Sequence, residues 1–391
     1  MIEAVNPKTT PYPADASFKA TGESRFDPVT GNWTLFAPHR SERPDEFIEP
    51  RERIRKQVKC PFCPGNEETT PPAVWIAQAD NDAEFSTSQR EADKSLTHDD
   101  WAVRVVPNKF PAVAAICSDT RAECNPSVFG NNDALSSNRE ASLFQQLPVS
   151  GGHEVIIESR NHVQSLTELD VSEIALVFKA YRDRLLHWRQ VPGISYLNTF
   201  KNVGGKAGAS LRHTHSQLIA TNRIPPSISA SVERMSRHQL THGSCLHCDL
   251  VRAELKAKER IIWRDDSLVA FCPFASHLPM LVRLTTLEHQ ACYEDLNDAT
   301  IESVSRIVRR AVSWMEKLRP GTAYNFCLHT RPPAGSDPPD AYHWTIDIFP
   351  RMTQIAGFEW SSQCMINPVL PEDAAAKLRT CALAEDPRIM L

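Results

Sequence analysis

One pattern, met twice, constrains this chain more than anything else in it. A Cys-x-x-Cys pair is followed by a His just past an apolar strand, then a long amphipathic stretch, then a β-like run carrying another His. In the first half these residues are Cys60 and Cys63, His162, and His213 with His215; in the second they are Cys245 and Cys248, His289, and His343. His162 and His213 stand 51 residues apart and His289 and His343 stand 54 apart, a near match that chance seldom gives. The repeat predicts an α+β fold of two pseudo-symmetric halves, residues 1–235 and 236–391, each built from antiparallel sheet with flanking helices and each stapled by its own ion. Only the first half keeps a spare imidazole beside its metal ligand.

Two thiolates separated by two residues face one ion across a tight turn, and two imidazoles from distant strands complete a tetrahedral Zn²⁺ site. The expected sets are Cys60, Cys63, His162 and His213, and Cys245, Cys248, His289 and His343. Four ligands of this kind close the coordination sphere, so both sites are expected to be structural, with no open position for water. The competing reading, a thioredoxin-like redox pair or plain buried cysteines, lacks the βαβ unit beside which such a redox motif belongs.

Composition narrows the classes of partner. Lys and Arg total 43 against 48 acidic residues, a formal net charge of −5, which offers no broad electrostatic footprint for a nucleic acid. Met1 to Thr21 is polar and Pro-rich without an apolar core segment, and nowhere do 18 apolar residues run together, so neither a signal peptide nor a membrane span is expected and the cytoplasm is the default location. Of the 11 cysteines, four sit in the two pairs, which suits metal in a reducing compartment better than disulfides; others, such as Cys117, Cys272 and Cys327, are expected to pack as small hydrophobes.

Periodicity places the motifs. Trp101–Val106 and Glu154–Glu158 alternate as strands, and His162 comes just after the second. Residues 172–190 align Ile174, Val177, Phe178, Tyr181, Leu185 and Trp188 on one helical stripe. Ile194–Phe200 returns as a strand, a Gly-rich bend comes next, and Arg212–Thr221 is the strand that carries the histidines. The second half repeats the order with strands at Ser267–Phe271 and Met280–Leu284, a helix at Ile301–Met315, and strands at Tyr324–His329 and His343–Phe349. Residues 115–147 are rich in Ser, Asn and Asp and read as an inserted surface loop.

The chemistry concentrates in Arg212-His213-Thr214-His215-Ser216-Gln217. On a strand, alternate residues share a face at intervals of about 6.6 to 7 Å, so His213, His215 and Gln217 form a row. With His213 fixed on an ion, His215 is held beside it as a nucleophile toward phosphorus, provided its other ring nitrogen donates to a carbonyl that sets the tautomer. The Gln217 amide can donate to a non-bridging oxygen as charge builds there. The alternatives for His215 are a third metal ligand or an ordinary strand histidine. The bend Asn202 to Ser210, with Gly204, Gly205 and Gly208, supplies backbone amides and a hydroxyl where a diphosphate could rest. Arg40 and Arg43 are spaced to clamp phosphate oxygens, although the same stretch also reads as a solvated basic turn.

Taken in order, Arg25 to Trp33 (Arg-Phe-Asp-Pro-Val-Thr-Gly-Asn-Trp), Pro38 to Pro44, Cys60-Pro-Phe-Cys63, Val106 to Phe110, His162, Asn202 to Ser210 and His213-x-His215-x-Gln217 match the sequence of motifs in the galactose-1-phosphate uridylyltransferases. The chain resembles that family, part of the histidine-triad superfamily, over nearly all its length apart from the first 20 residues and the inserted loop. The resemblance implies two histidine-triad-like halves and a ping-pong nucleotidyl transfer of carbohydrate (galactose) metabolism. The residue matching the family's nucleophile, His215, would attack the α-phosphorus of a nucleoside diphosphate hexose, expel hexose 1-phosphate, and pass the nucleotidyl group to a second sugar phosphate. It further implies that Asn108 lies near the base and ribose, and that Asn202, Gly208, Ser210 and Gln217 lie around the phosphates. Arg40 and Arg43 would reach the partner subunit's substrate in a homodimer, and the zinc ions would hold structure only.

The chain departs from the uridylyltransferase pattern at several points. Those enzymes read His-Pro-His-Gly-Gln where this chain has Thr214 and Ser216 as spacers, and Gly357 to Gln363 keeps the family's Phe, here Phe358, without its Tyr-Glu pair. With the complete second Cys/His set and the run Ile366 to Glu372, these features look closer to the plant ADP-glucose phosphorylase branch, which transfers the nucleotidyl group to inorganic phosphate. In the second half the position matching His215 is Thr345, so one active centre per chain is expected. Two reactions therefore stand, UDP-hexose with a hexose 1-phosphate acceptor and ADP-sugar with phosphate. Outside them lie a histidine-triad hydrolase, which usually has a third His where Gln217 stands, and a non-enzymatic zinc-stabilised nucleotide-binding scaffold.

Overall fold

A computed structural model describes residues 22–42, 59–78, 101–115, 147–335 and 338–387. Arg43, the Pro-rich start and nearly all of the inserted loop lie outside the described residues.

The alternating runs expected from sequence form one 11-stranded sheet. Its path is β3 (Trp75–Gln78), β4 (Trp101–Pro107), β6 (Ser150–Ile157), β8 (His215–Thr221), β7 (Tyr196–Val203), β12 (Tyr324–His329), β13 (Thr345–Pro350), β11 (Val282–Thr286), β10 (Leu268–Phe271) and β9 (Ile261–Arg264), with the short β5 (Ala114–Ala115) beside β6. Outward from the central pair, the two halves mirror each other: β7 answers to β12, β8 to β13, β6 to β11, β4 to β10 and β3 to β9. The halves join where β7 and β12 pair antiparallel, with Asn202 opposite Asn325 and Phe200 opposite Cys327. A small second sheet sets the hairpin of β1 (Glu23–Phe26) and β2 (Trp33–Phe36) beside a parallel β14 (Met365–Asn367).

Two long helices cover one face of the large sheet. α1 (Val171–Gln190) starts where the Glu173 carboxylate accepts from the Asp170 backbone N–H, and α4 (Asp298–Leu318) where the Asn297 side chain accepts from Thr300 N–H, so each first turn has orphan donors satisfied. Both apolar stripes are buried: Ile174, Val177, Phe178, Tyr181 and Leu185 from α1, and Ile301, Val304, Val308, Ala311 and Met315 from α4, meet strand residues such as Phe326 in one core. Each large side chain so buried contributes about 1.5–3 kcal/mol, which is what holds the two halves as one body. Trp188, placed on the stripe by its spacing, is only partly buried at the end of α1, where its indole N–H donates to Glu154. The remaining helices are α2 (Pro226–His242), α3 (Leu246–Ala257), α5 (Gly357–Ser362) and α6 (Pro371–Glu385). Among the described residues no helix is long and apolar enough to cross a membrane.

One detail differs from expectation. Periodicity puts His213 and His343 within their strands, yet β8 begins at His215 and β13 at Thr345, so each of these candidate ligands lies two residues before its strand. Thr214 O still accepts from Glu158 N–H in register with β6, and the ladder ends there because Thr214 N–H donates to Val163 O instead.

Candidate active site

The two Cys/His sets assemble as the spacing predicted. In each set the four candidate ligand atoms lie within 4.8 Å of one another. Sulfur and imidazole Nδ1 approach to 3.2 Å for Cys63 and His162, 3.6 and 3.7 Å from Cys63 and Cys60 to His213, and 3.4 Å from Cys248 to both His289 and His343. A tetrahedral ion with Zn–S near 2.3 Å and Zn–N near 2.0–2.1 Å spaces sulfur from nitrogen by about 3.5 Å, so both sets fit a metal ion of that kind. The outer nitrogens are fixed as such ligands require: His213 Nε2 donates to Ser159 O at 2.8 Å, and His343 Nε2 meets the Thr286 hydroxyl at 2.9 Å. The first set is packed directly against the start of β8. Phe62, inside the Cys-x-x-Cys turn, lies edge-on to the rings of both His213 and His215, at 6.0 and 5.3 Å between centroids.

His215 opens β8 and is not a member of either ligand set. It is 8% exposed, and its Nδ1 donates to the carbonyl of His213 at 2.8 Å. With that hydrogen committed, Nε2 of the neutral ring carries the lone pair. Burial pushes the imidazole below its ordinary pKa, and the hydrogen bond to His213 only partly offsets this, so the ring is neutral at pH 7.

Behind β8, on the helix side, sits a buried polar network. Lys201 is 1% exposed and Glu158 fully buried; they pair, the Thr214 hydroxyl donates to Glu158, and the Lys201 ammonium also donates to Thr214 Oγ1 at 2.8 Å and to the carbonyl of His215 at 3.1 Å. Tyr181 of α1 donates from its hydroxyl to Ser216 Oγ at 2.8 Å. Burial opposes both charges, yet the Lys201 ammonium holds the Glu158 carboxyl below its usual range. Thr214 and Ser216, the spacers that depart from the uridylyltransferase pattern, are thus the anchors that clamp the back of the strand.

On the open face, β7 and β12 floor a cavity of about 440 Å³ lined by Asn198, Phe200, Asn202, Gly208, Asn325 and Arg351 among others. Phe200 stands opposite Gln217 across the β7–β8 ladder. Asn325 donates to Asn202 Oδ1 at 2.8 Å and to Ala207 O at 3.0 Å, tying the Gly-rich bend to the second half. Two glycines there have backbones closed to other residues: Gly204 at φ 83°, where a Cβ would sit 2.9 Å from Ala323, and Gly208 at φ 89°.

Of the other residues singled out from sequence, Ser210 is exposed on the bend and is not among the cavity-lining residues, and Arg40 is exposed on the short turn Pro38–Glu42. Asn108, just past β4, contacts Gln217 and His153. His153, Asn325 and Arg351 were not singled out from sequence. A lone His on a strand carries no spacing signal, while Asn325 could have been found from its parity on β12, two residues before Cys327 on the same face.

Comparison with known proteins places this geometry. A domain of unknown function, DUF4921, matches residues 115–385, more than half of the chain. The chain belongs to the DUF4921 family. It is 29% identical to an ADP-glucose phosphorylase of Arabidopsis thaliana over 365 residues, covering 92% of this chain and 93% of that one. Against a galactose-1-phosphate uridylyltransferase of Neurospora crassa the identity is 23% over 401 residues, covering 91% and 94%. The solved structure of the Arabidopsis ADP-glucose phosphorylase with bound ADP-glucose superposes with a TM-score of 0.72 at 27% identity, covering 92% of this chain and 99% of that one. A uridylyltransferase structure superposes with a TM-score of 0.65 at 22% identity over 93% and 99% of the two chains, which shows the shared fold. The resemblance read from the motifs therefore holds, and of these relatives the phosphorylase is the more similar to this DUF4921 chain.

Proposed function

We propose that the protein is a nucleotidyltransferase acting on a nucleoside diphosphate hexose through a covalent nucleotidyl-His215 intermediate. The observation that carries this reading is the state of His215: Nδ1 committed to its own strand's carbonyl, Nε2 free of hydrogen, and the ring clamped between Phe62 and the strand. In the first step the Nε2 lone pair forms a bond to the α-phosphorus, the bond from that phosphorus to the bridging oxygen breaks, and hexose 1-phosphate departs with the electron pair. In the second an acceptor phosphate oxygen attacks the same phosphorus and the P–N bond breaks, returning the pair to Nε2. Positioning and charge stabilisation carry such a transfer. Gln217 is the amide two residues from His215 on the same face of β8, and the cavity's amides and the Lys206 and Arg351 cations suit a phosphate-bearing ligand, with Asn202, Gly208 and Ser210 on or beside its bend.

Residues 1–235 carry the chemistry in this reading and residues 236–391 complete the cavity through Asn325 and Arg351. The two Cys/His sets hold zinc, which when bound constrains the fold with all four positions taken by protein and leaves the transfer to His215. Arg40, Arg43 and Asn108 complete the substrate contacts, with the arginines serving a second subunit's site in a homodimer.

Between the two reactions, phosphorolysis of an ADP-sugar is favoured, because the phosphorylase relative is the more similar and the Thr214 and Ser216 spacers have a structural purpose of their own. Incubation with ADP-glucose or UDP-glucose labelled at the α-phosphorus, with subsequent alkaline denaturation, tests both levels. Label retained from ADP-glucose, released by inorganic phosphate and abolished in His215→Ala is expected. Label from UDP-glucose released only by a hexose 1-phosphate would move the assignment to uridylyl exchange, and no label from either donor would remove the enzyme reading.

A further inference from the structure

The Gln217 side chain is held in one orientation by His153, which the transfer reading does not use, together with Asn108. Its Oε1 lies 2.8 Å from Nε2 of His153, which projects from β6 one strand away, and 3.5 Å from Nδ2 of Asn108. The tautomer of His153 is set by its other nitrogen: the Ala112 backbone N–H donates to Nδ1 at 3.1 Å, so Nδ1 holds the lone pair and Nε2 of the neutral ring carries the hydrogen. Asn108 is oriented by the Phe110 N–H, which donates to its Oδ1 at 2.9 Å and leaves the NH₂ group facing inward. The 3.1 Å approach between Asn108 Nδ2 and His153 Nε2 is then a contact of two donors that converge on one acceptor, the Gln217 oxygen. A flipped amide would set its NH₂ against both, so the NH₂ of Gln217 faces away from them. It has no partner among the described residues.

We propose that His153 is a positioning residue of the transfer: its Nε2–H, seconded by Asn108, pins the Gln217 oxygen so that the Gln217 NH₂ is held toward the phosphorus that His215 attacks. This rests on the nucleotidyl-transfer reading above. The gain is preorganisation, since an amide held in one of its two orientations meets the developing phosphoryl charge without turning over at the moment of reaction. His153 never touches the substrate; it acts through Gln217. Asn108 shares the duty from the same side chain that the resemblance sets near the base and ribose.

Steady-state kinetics with ADP-glucose and phosphate on the full chain test this. Loss of a preorganised donor costs about 10²–10³ in kcat, and a donor left to turn freely a part of that, so His153→Leu is expected to lower kcat by about 10–100-fold with KM within about threefold. His153→Gln, which offers an N–H near the position of Nε2, is expected to recover most of the lost rate. In a Gln217→Ala background His153→Leu is expected to cost nothing more, because its whole effect passes through the missing amide. Equal losses from His153→Leu in both backgrounds, a loss confined to KM, or no recovery in His153→Gln with thermal unfolding unchanged would overturn the inference while leaving the covalent reading intact. If the wild-type chain takes no label at His215, the transfer reading itself fails, and that outcome is separate from any of these.

Discussion

At the residue scale, the second half carries a built counterpart of β8 without its imidazole and amide. Thr345 opens β13 as His215 opens β8, and two residues on, where Gln217 stands in the first half, Asp347 is buried in a bidentate pair with Arg283 at 2.7 and 2.8 Å. A hydroxyl and a paired carboxylate cannot replace an imidazole nucleophile and its amide partner, so under the proposed transfer the geometry of the fold is kept while the reaction is confined to one strand. Burial raises the Asp347 carboxyl and the Arg283 guanidinium lowers it more, leaving it at about 2 against the usual 3.8. A carboxyl whose folded pKa is depressed stabilises the fold above its unfolded pKa and loses that contribution as pH falls through the folded one. The pair should therefore contribute on the order of 2 kcal/mol at neutral pH, lost between about pH 4 and pH 2. Arg283→Met leaves the carboxylate buried and unpaired and is expected to cost about 3–5 kcal/mol at pH 7. Urea unfolding at pH 7 and pH 3 should show the gap between wild type and variant narrowing at the lower pH; a constant gap would mean that the guanidinium acts through packing alone.

At the element scale, β8 is aimed from behind. The Lys201–Glu158 pair, Thr214 and the Tyr181–Ser216 bond fix the strand's start from the helix side, so that His215 and Gln217 face the open side in register with Phe200. Removing one member of a buried ion pair leaves an uncompensated charge, so Lys201→Met or Glu158→Gln should destabilise by about 3–5 kcal/mol or neutralise the survivor, whereas Lys201→Met with Glu158→Leu should cost less than either single change. Denaturant midpoints of the three variants check the order. Because Lys201 also holds the carbonyl of His215, the double variant should fold yet label His215 more slowly; normal labelling would show that β8 keeps its aim without the network. Sequence alone carried a partial signal for this device. Lys201 lies between Phe200 and Asn202 at the same parity as the buried Thr199 and Val203, a place where a lysine is expensive unless paired. Its partner, 43 residues earlier, reads in isolation as the polar end of a strand.

At the scale of the whole molecule, one sheet runs through both halves, and the cavity sits where they meet, with residues from β7 and β12 on its floor. The two Cys/His sets are related by the same pseudo-symmetry but differ in what they support. The first encloses Phe62, which packs on His215; in the second, His343 precedes Thr345 by two residues, so a hydroxyl stands where the first half has an imidazole. Elemental analysis of the purified chain is expected to find two zinc ions per chain. Cys63→Ser should remove one and slow nucleotidyl labelling by about tenfold or more, on the order seen when a metal's supporting shell is lost. Cys248→Ser should remove the other and lower the unfolding temperature with a smaller effect on labelling. Equal effects on labelling would show that both ions serve the fold alone.

Residue identity and spacing were enough to read the duplication, the two Cys/His clusters that could hold a metal ion and the two long helices, because a metal tolerates few ligand types and an apolar stripe repeats at a fixed period. The departures at Thr214 and Ser216 could be seen in sequence but not explained, since their anchors, Glu158 and Tyr181, arrive from other elements. That His213 stands ahead of its strand, that His153 meets Gln217 from the neighbouring strand, and that Asn325 closes the bend were decided only when the chain folded. Each depends on which strands lie side by side, and strand order results from packing the whole sheet beneath α1 and α4, a sum over distant contacts that no local run of residues encodes.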